Sequence, residues 1–157
     1  MPTANKIYLD ANFLIAYFAN NHTDHNASKK AFYELLKTNS ELYISTLCLD
    51  ETWYKIWEIP FREKKLKKKH WSDIKDFYPN IKLIIEELKK LPDTFKLIQF
   101  ENDLKEGINN ASENIGNYSL EPRDAFHLAY MQDLGINQII TKDKKFDHVS
   151  DITVISF

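Results

Sequence analysis

Four acidic residues stand near the ends of strand-like runs or in the early turns of helices: Asp10, Glu51, Asp124 and Asp143. Asp10 is the sharpest case. In KIYLDANFLIAYF it sits at the seam of two apolar segments, with Asn12 two residues on. A carboxylate there is awkward to desolvate unless a cation lies against it. Carboxylates that converge repel one another and need a cation to stay ionised together. Hard oxygen ligands favour Mg²⁺ or Mn²⁺. One or two such ions activate a water and stabilise the leaving oxygen of a phosphodiester. In that chemistry Asp10 binds metal, and Asn12 orients the metal or a nearby phosphate.

Each acid also has a plainer explanation. An acid in the first turn of a helix complements the helix dipole, which accounts for Asp124 and extends to Asp143. Asp50 and Glu51 read equally as exposed helix residues. The joint case favours the metal site, because Asp10 has apolar flanks, Asp124 leads into the apolar-rich run AFHLAYM, and the four acids come from four separate segments.

Those segments belong to an alternating pattern. Short β-rich runs are predicted over residues 6–9, 42–44, 96–100, 138–141 and 152–155. Helical spacing is predicted over 11–19, 24–37, 46–58, 80–91, 101–114 and 122–134, with Thr23 as a cap, Pro122 at a first helical position and Gly135 as a stop. Alternation of this kind predicts an α/β fold, a mainly parallel sheet between helical layers. Sites in such sheets form at the carboxyl ends of strands. Asp10 and Asp143 follow strands, Asp124 opens a helix, and Glu51 falls about one and a half turns into another.

At 157 residues the chain reads as one domain over 1–157, with a basic helical or loop segment at about 59–79. Its 43% apolar and 13% aromatic content predicts folding rather than disorder. A net charge of −2 decides nothing about nucleic acid. Only three glycines occur, and none forms a phosphate-cradling loop, which excludes P-loop and dinucleotide-binding readings. The single cysteine, Cys48, lies in an apolar setting and reads as core. It fits a cytosolic protein, as does the lack of a signal-like or membrane-spanning run. The one anomaly is FREKKLKKKHW, which carries Lys64, Lys65, Lys67, Lys68 and Lys69. It is either a solvated helix face or linker, or a phosphate-contacting patch beside aromatics. Lys142, Lys144 and Lys145, around Asp143, are further candidates to hold a nucleic-acid backbone.

The segments YLDANFLIAYF, ISTLCLDETWY, PRDAFHLAYMQDLGI and IITKDKKFD, in this order, resemble the four signature regions of PIN domains. Within that family the chain is most similar to VapC-type toxins, the ribonuclease halves of toxin–antitoxin pairs. The resemblance covers nearly the whole chain. It maps the family's acids onto Asp10, Glu51, Asp124 and Asp143. Asn12 matches a small polar residue two beyond the first acid. Thr141 matches a hydroxyl residue two before the fourth, and Asp147 a further acid found in some members. It implies a three-layer α/β/α sandwich and a Mg²⁺- or Mn²⁺-dependent endoribonuclease that leaves 5′-phosphate and 3′-hydroxyl ends. It also implies frequent homodimerisation and often an antitoxin partner. The stretch from Glu58 to Phe77 is longer and more basic than in compact members.

Other residues carry less. His127, three after Asp124, reads first as a packed, hydrogen-bonded histidine and second as a ligand or supporting group. His22 and His25 read as polar loop residues. Trp53, Tyr54 and Trp57 suit a mixture of core and partner contacts. A rival enzyme is a haloacid-dehalogenase-like phosphatase, which Asp143 and Asp147 would suit. Asn12 then stands where that chemistry needs a proton donor. The non-enzymatic rival is a receiver-like domain or a PIN-like RNA-binding module without catalysis. A degenerate nuclease should lack an acid, and here all four are present.

Overall fold

The computed structural model describes residues 5–63, 71–90 and 95–157. Five parallel strands form the sheet in the order β3-β2-β1-β4-β5. They are β1 (Lys6–Leu9), β2 (Glu41–Ser45), β3 (Phe95–Ile98), β4 (Gln138–Ile140) and β5 (Thr153–Ile155). The helices are α1 (Ala11–Phe18), α2 (His25–Lys37), α3 (Thr46–Glu63), α4 (Trp71–Lys89), α5 (Leu104–Tyr118) and α6 (Pro122–Asp133).

Strand alternation sorts the core into two faces. Ile7, Leu9, Leu42, Ile44 and Ile140 pack with α1, α2 and the start of α3. Tyr8, Tyr43 and Ile139 point the other way and pack with Ala125, Leu128 and Met131 of α6. The result is the α/β/α sandwich expected from the alternating sequence. Strand β1 is central, and Ile7, Tyr8 and Leu9 are all buried.

The strand order makes β1 and β4 the switch point. The chain runs outward from β1 through β2 to β3, then returns to β4 on the far side of β1. Leu9 pairs with Ile140, so Asp10 and Thr141 leave the sheet side by side. The Asp10 N–H bonds the Ile140 carbonyl at 3.3 Å.

Several local expectations shift. Helix α2 begins at His25, so Thr23 is not its cap; Asp24 holds that position without a side-chain capping bond. The Asp24 carboxylate is drawn instead to the Lys142 ammonium. Helix α3 runs five residues beyond the expected end, and α4 starts at Trp71 with Pro79 inside it. Proline removes one helical hydrogen bond but does not oblige the helix to end. Gly135 does stop α6: it adopts φ +61°, its N–H bonds Gln132 O, and the Ile136 N–H bonds Met131 O. Gly107 is required by packing, since a Cβ there would lie 2.5 Å from the Phe100 ring. The expected basic residues Lys64, Lys65, Lys67, Lys68 and Lys69 lie outside the described residues.

Candidate metal and catalytic site

Asp10 ends β1 and caps α1. Its Oδ1 accepts the Ala11 N–H at 2.7 Å. Its Oδ2 accepts the Thr141 hydroxyl at 2.7 Å and the Asn12 amide at 2.8 Å. Thr141, the first residue after β4, is the hub of this edge. Besides donating to Asp10, its hydroxyl accepts from Asn12 Nδ2 at 2.7 Å and from the Asp143 N–H at 2.9 Å. A hydroxyl has one donor and two acceptor positions, and all three are used.

Glu51 lies in the second turn of α3. Its Oε2 is 3.3 Å from His127 Nε2, and its Oε1 is 3.2 Å from Arg123 Nη1. His127, on α6, is buried, and its Nδ1 sits 2.7 Å from the Tyr8 hydroxyl. That hydroxyl also contacts Ser45 Oγ at 2.6 Å. Ligand atoms of Asp10, Glu51 and His127 all lie within 4.8 Å of one another. The two carboxylates suit a hard divalent ion such as Mn²⁺ or Mg²⁺, while an imidazole ligand beside them favours a transition ion such as Mn²⁺ over Mg²⁺.

Asp124 and Asp143 are not part of this grouping. They meet on Lys145, whose Nζ is 3.0 Å from Asp124 Oδ2, 3.8 Å from Asp143 Oδ2 and 3.2 Å from Glu121 Oε1. Asp143 also accepts the Lys145 N–H through Oδ1 at 2.9 Å, starting a single 3₁₀ turn over Lys144–Phe146. The two groups are joined through Thr141, which bonds both Asp10 and the Asp143 backbone.

The electrostatics differ across the site. Burial pushes the Asp10 carboxyl above its ordinary value; His127, Thr141 and Ala11 oppose this without cancelling it, and Glu51 adds to it. Burial also pushes Glu51 upward, but the hydrogen bond and charge of His127, with Arg123, outweigh it, and Glu51 ends below its ordinary value. The hydrogen bond to Asp124 is the main cause that lifts the Lys145 ammonium above its ordinary value.

The remaining candidates fall outside this centre. Asp147 is exposed at the end of the 3₁₀ turn. Lys142 pairs with Asp24 and lies 5.0 Å from the centre of the Phe157 ring, while Lys144 is exposed. His25 is held to the Ala16 carbonyl at 3.0 Å. Cys48 is fully buried, its thiol donates to the Leu9 carbonyl at 3.2 Å, and burial pushes that thiol well up. Trp53 has a buried indole N–H without a hydrogen-bond partner among the described residues, and Tyr54 is exposed. Ser45, Arg123 and Glu121 had no distinguishing mark in the sequence. Tyr8 alone offered a signal, a hydroxyl inside an apolar strand.

A parallel sheet with acidic residues at its switch point defines an α/β protein with a polar, cation-ready edge. The PIN domain family model matches residues 7–152, and the chain belongs to that family. Solved structures share the fold. VapBC2 of Rickettsia felis, solved on a promoter DNA fragment, has a TM-score of 0.63 at 14% identity, covering 97% of this chain and 98% of that one. A toxin–antitoxin complex of Klebsiella pneumoniae gives 0.59 at 18% identity, covering 94% and 95%. The sarcin–ricin loop-cleaving toxin VapC20 of Mycobacterium tuberculosis gives 0.58 at 17% identity, covering 92% and 95%. Among curated proteins no relative matches the sequence. No helix among the described residues is long and apolar enough to cross a membrane.

Proposed function

We propose that this protein is a Mg²⁺- or Mn²⁺-dependent endoribonuclease, the toxin of a toxin–antitoxin pair. The observation that carries the reading is the meeting of the Asp10 and Glu51 carboxylates, with His127 beside them, within 4.8 Å at the switch point of a PIN fold. Asp10, Glu51, Asp124 and Asp143 are the proposed metal-holding and catalytic residues. Asn12 and Thr141 keep Asp10 oriented, and His127 does the same for Glu51. The bound ion supplies a Lewis acid that activates water and stabilises the leaving oxygen. Asp147, exposed at the end of the 3₁₀ turn, remains a proposed supporting acid. Lys144, Lys142 and the basic run from Lys64 to Lys69 are the proposed holders of the RNA backbone, on single-stranded or looped RNA. Cleavage leaves a 5′-phosphate and a 3′-hydroxyl.

The proposed protein partner is an antitoxin, supported by neighbours solved as toxin–antitoxin complexes. A homodimer is part of the same proposal. Leu104, Ile108 and Ile115 expose an apolar stripe along α5 that a second copy would cover. The whole chain acts in this reading as one domain, in the cytoplasm.

The test is cleavage of RNA by purified protein. Activity should vanish with chelator, return with Mn²⁺, and be lost by about 100-fold or more in Asp10→Asn and Asp124→Asn proteins of unchanged circular dichroism. Chelator-resistant cleavage, or wild-type rates in either variant, contradicts the proposal.

A further inference from the structure

Three carboxylates surround one ammonium. Lys145 Nζ faces Glu121, Asp124 and Asp143 at 3.2, 3.0 and 3.8 Å. Its own backbone N–H is bound by Asp143 at 2.9 Å, so the residue is fixed to the same acid at both ends. Its neighbours behave otherwise: Lys142 turns to Asp24, and Lys144 is exposed. The ammonium sits on one oxygen of each acid, Asp124 Oδ2 and Asp143 Oδ2, so a divalent ion drawn to these carboxylates meets a cation already on them. A carboxylate has about four acceptor positions, so the two cations compete through charge and room more than for a single lone pair. An ammonium and a divalent ion on one carboxylate repel, so entry of the ion weakens the hold on Lys145. Lys145 is able to leave, because its side chain is 41% exposed and its four-carbon stem is flexible.

We propose that Lys145 is a built-in counter-cation: it holds Asp124 and Asp143 together in the metal-free protein and competes with the divalent ion for them. It is a positioning residue that sets the metal concentration at which the site fills. Once displaced, its ammonium swings toward solvent, where an RNA phosphate is the natural new partner. This rests on the reading of Asp124 and Asp143 as metal-holding residues.

The test is calorimetric titration of Mn²⁺ into wild-type, Lys145→Met, Lys145→Gln and Lys145→Arg proteins, with melting curves in chelator. The neutral variants should bind Mn²⁺ up to about tenfold more tightly than wild type, because the ion no longer has to break the ammonium contact. They should melt lower in chelator and recover when Mn²⁺ is added. Lys145→Arg, which keeps the charge, should stay close to wild type. A lysine with a merely structural role would give weaker binding on removal, not tighter. Wild-type binding with unchanged or weaker affinity in both neutral variants overturns the competition. No Mn²⁺ binding by wild type overturns the metal reading itself, and the inference falls with it.

Discussion

The Tyr8 hydroxyl lies 2.7 Å from His127 Nδ1, deep in the core, and links the central strand to the residue that faces Glu51. Ser45, Tyr8 and His127 are each at most 1% exposed. Burying three polar groups in a sheet core is unfavourable unless each is satisfied, and here they satisfy one another in a row. The row ends on Glu51. It fixes the imidazole ring, and with it the direction from which Glu51 is held.

Tyr8→Phe removes only the hydroxyl and leaves His127 Nδ1 without its partner. Urea unfolding should show a loss of about 1–3 kcal/mol. Ser45→Ala should cost less: Tyr8 keeps His127, while the Cys48 N–H loses the Ser45 oxygen it bonds at 3.1 Å. Equal stability of Tyr8→Phe and wild type would show that the buried row contributes nothing.

Thr141→Val keeps shape and removes the hub. Asp10 loses a donor, and both Asn12 and the Asp143 N–H lose an acceptor. The expected loss is about 1–3 kcal/mol in urea unfolding, with weaker Mn²⁺ binding. Thr141→Ser keeps the hydroxyl and should restore most of both. A valine variant with wild-type metal affinity would separate Thr141 from the site.

Asp10 and Glu51 should respond to pH with opposite signs. The folded Asp10 carboxyl is raised from 3.8, so the folded state binds more protons than the unfolded one just above that value. Its contribution to stability therefore falls as pH rises through that window. Glu51 is lowered from 4.5, so its contribution is present above that value and is lost as pH falls through the lowered folded value. In chelator, the stability of wild type relative to Asp10→Asn should fall as pH rises from the acid side. Relative to Glu51→Gln it should rise. Denaturant titrations at several pH values read both slopes, and slopes of the same sign contradict the electrostatic account.

The basic run carries its own prediction. Replacing Lys67, Lys68 and Lys69 with alanine should weaken RNA binding and reduce the slope of log affinity against log salt by about 2. An unchanged slope would return the run to a solvated surface.

The fold was largely legible because its signals are local. Apolar runs marked all five strands, and Pro122 and Gly135 marked both ends of α6. The extent of α3 and α4 was not legible, because a proline and a dense charge run interrupt the helical pattern there. Sheet order was also hidden, since it depends on pairing between Leu9 and Ile140, far apart in sequence. At the site, the strand-end position of Asp10 was readable from its apolar flanks. The facing of His127 and Glu51 was not, since 76 residues separate them and only the packing of α3 on α6 brings them together. Lys145 looked like a backbone-holding lysine because nothing local shows which way a flexible side chain turns. Three acids from α6, its entry and the β4 loop decide that.

The central claim is that these carboxylates share a divalent ion. Anomalous diffraction from crystals grown with Mn²⁺ tests it most directly. The account predicts a manganese peak bonded to an Asp10 carboxylate oxygen, with Glu51 and at least one of Asp124 and Asp143 around it directly or through water. Manganese found only at other surface acids, with Asp10 still held by Thr141 and Asn12 alone, would contradict it.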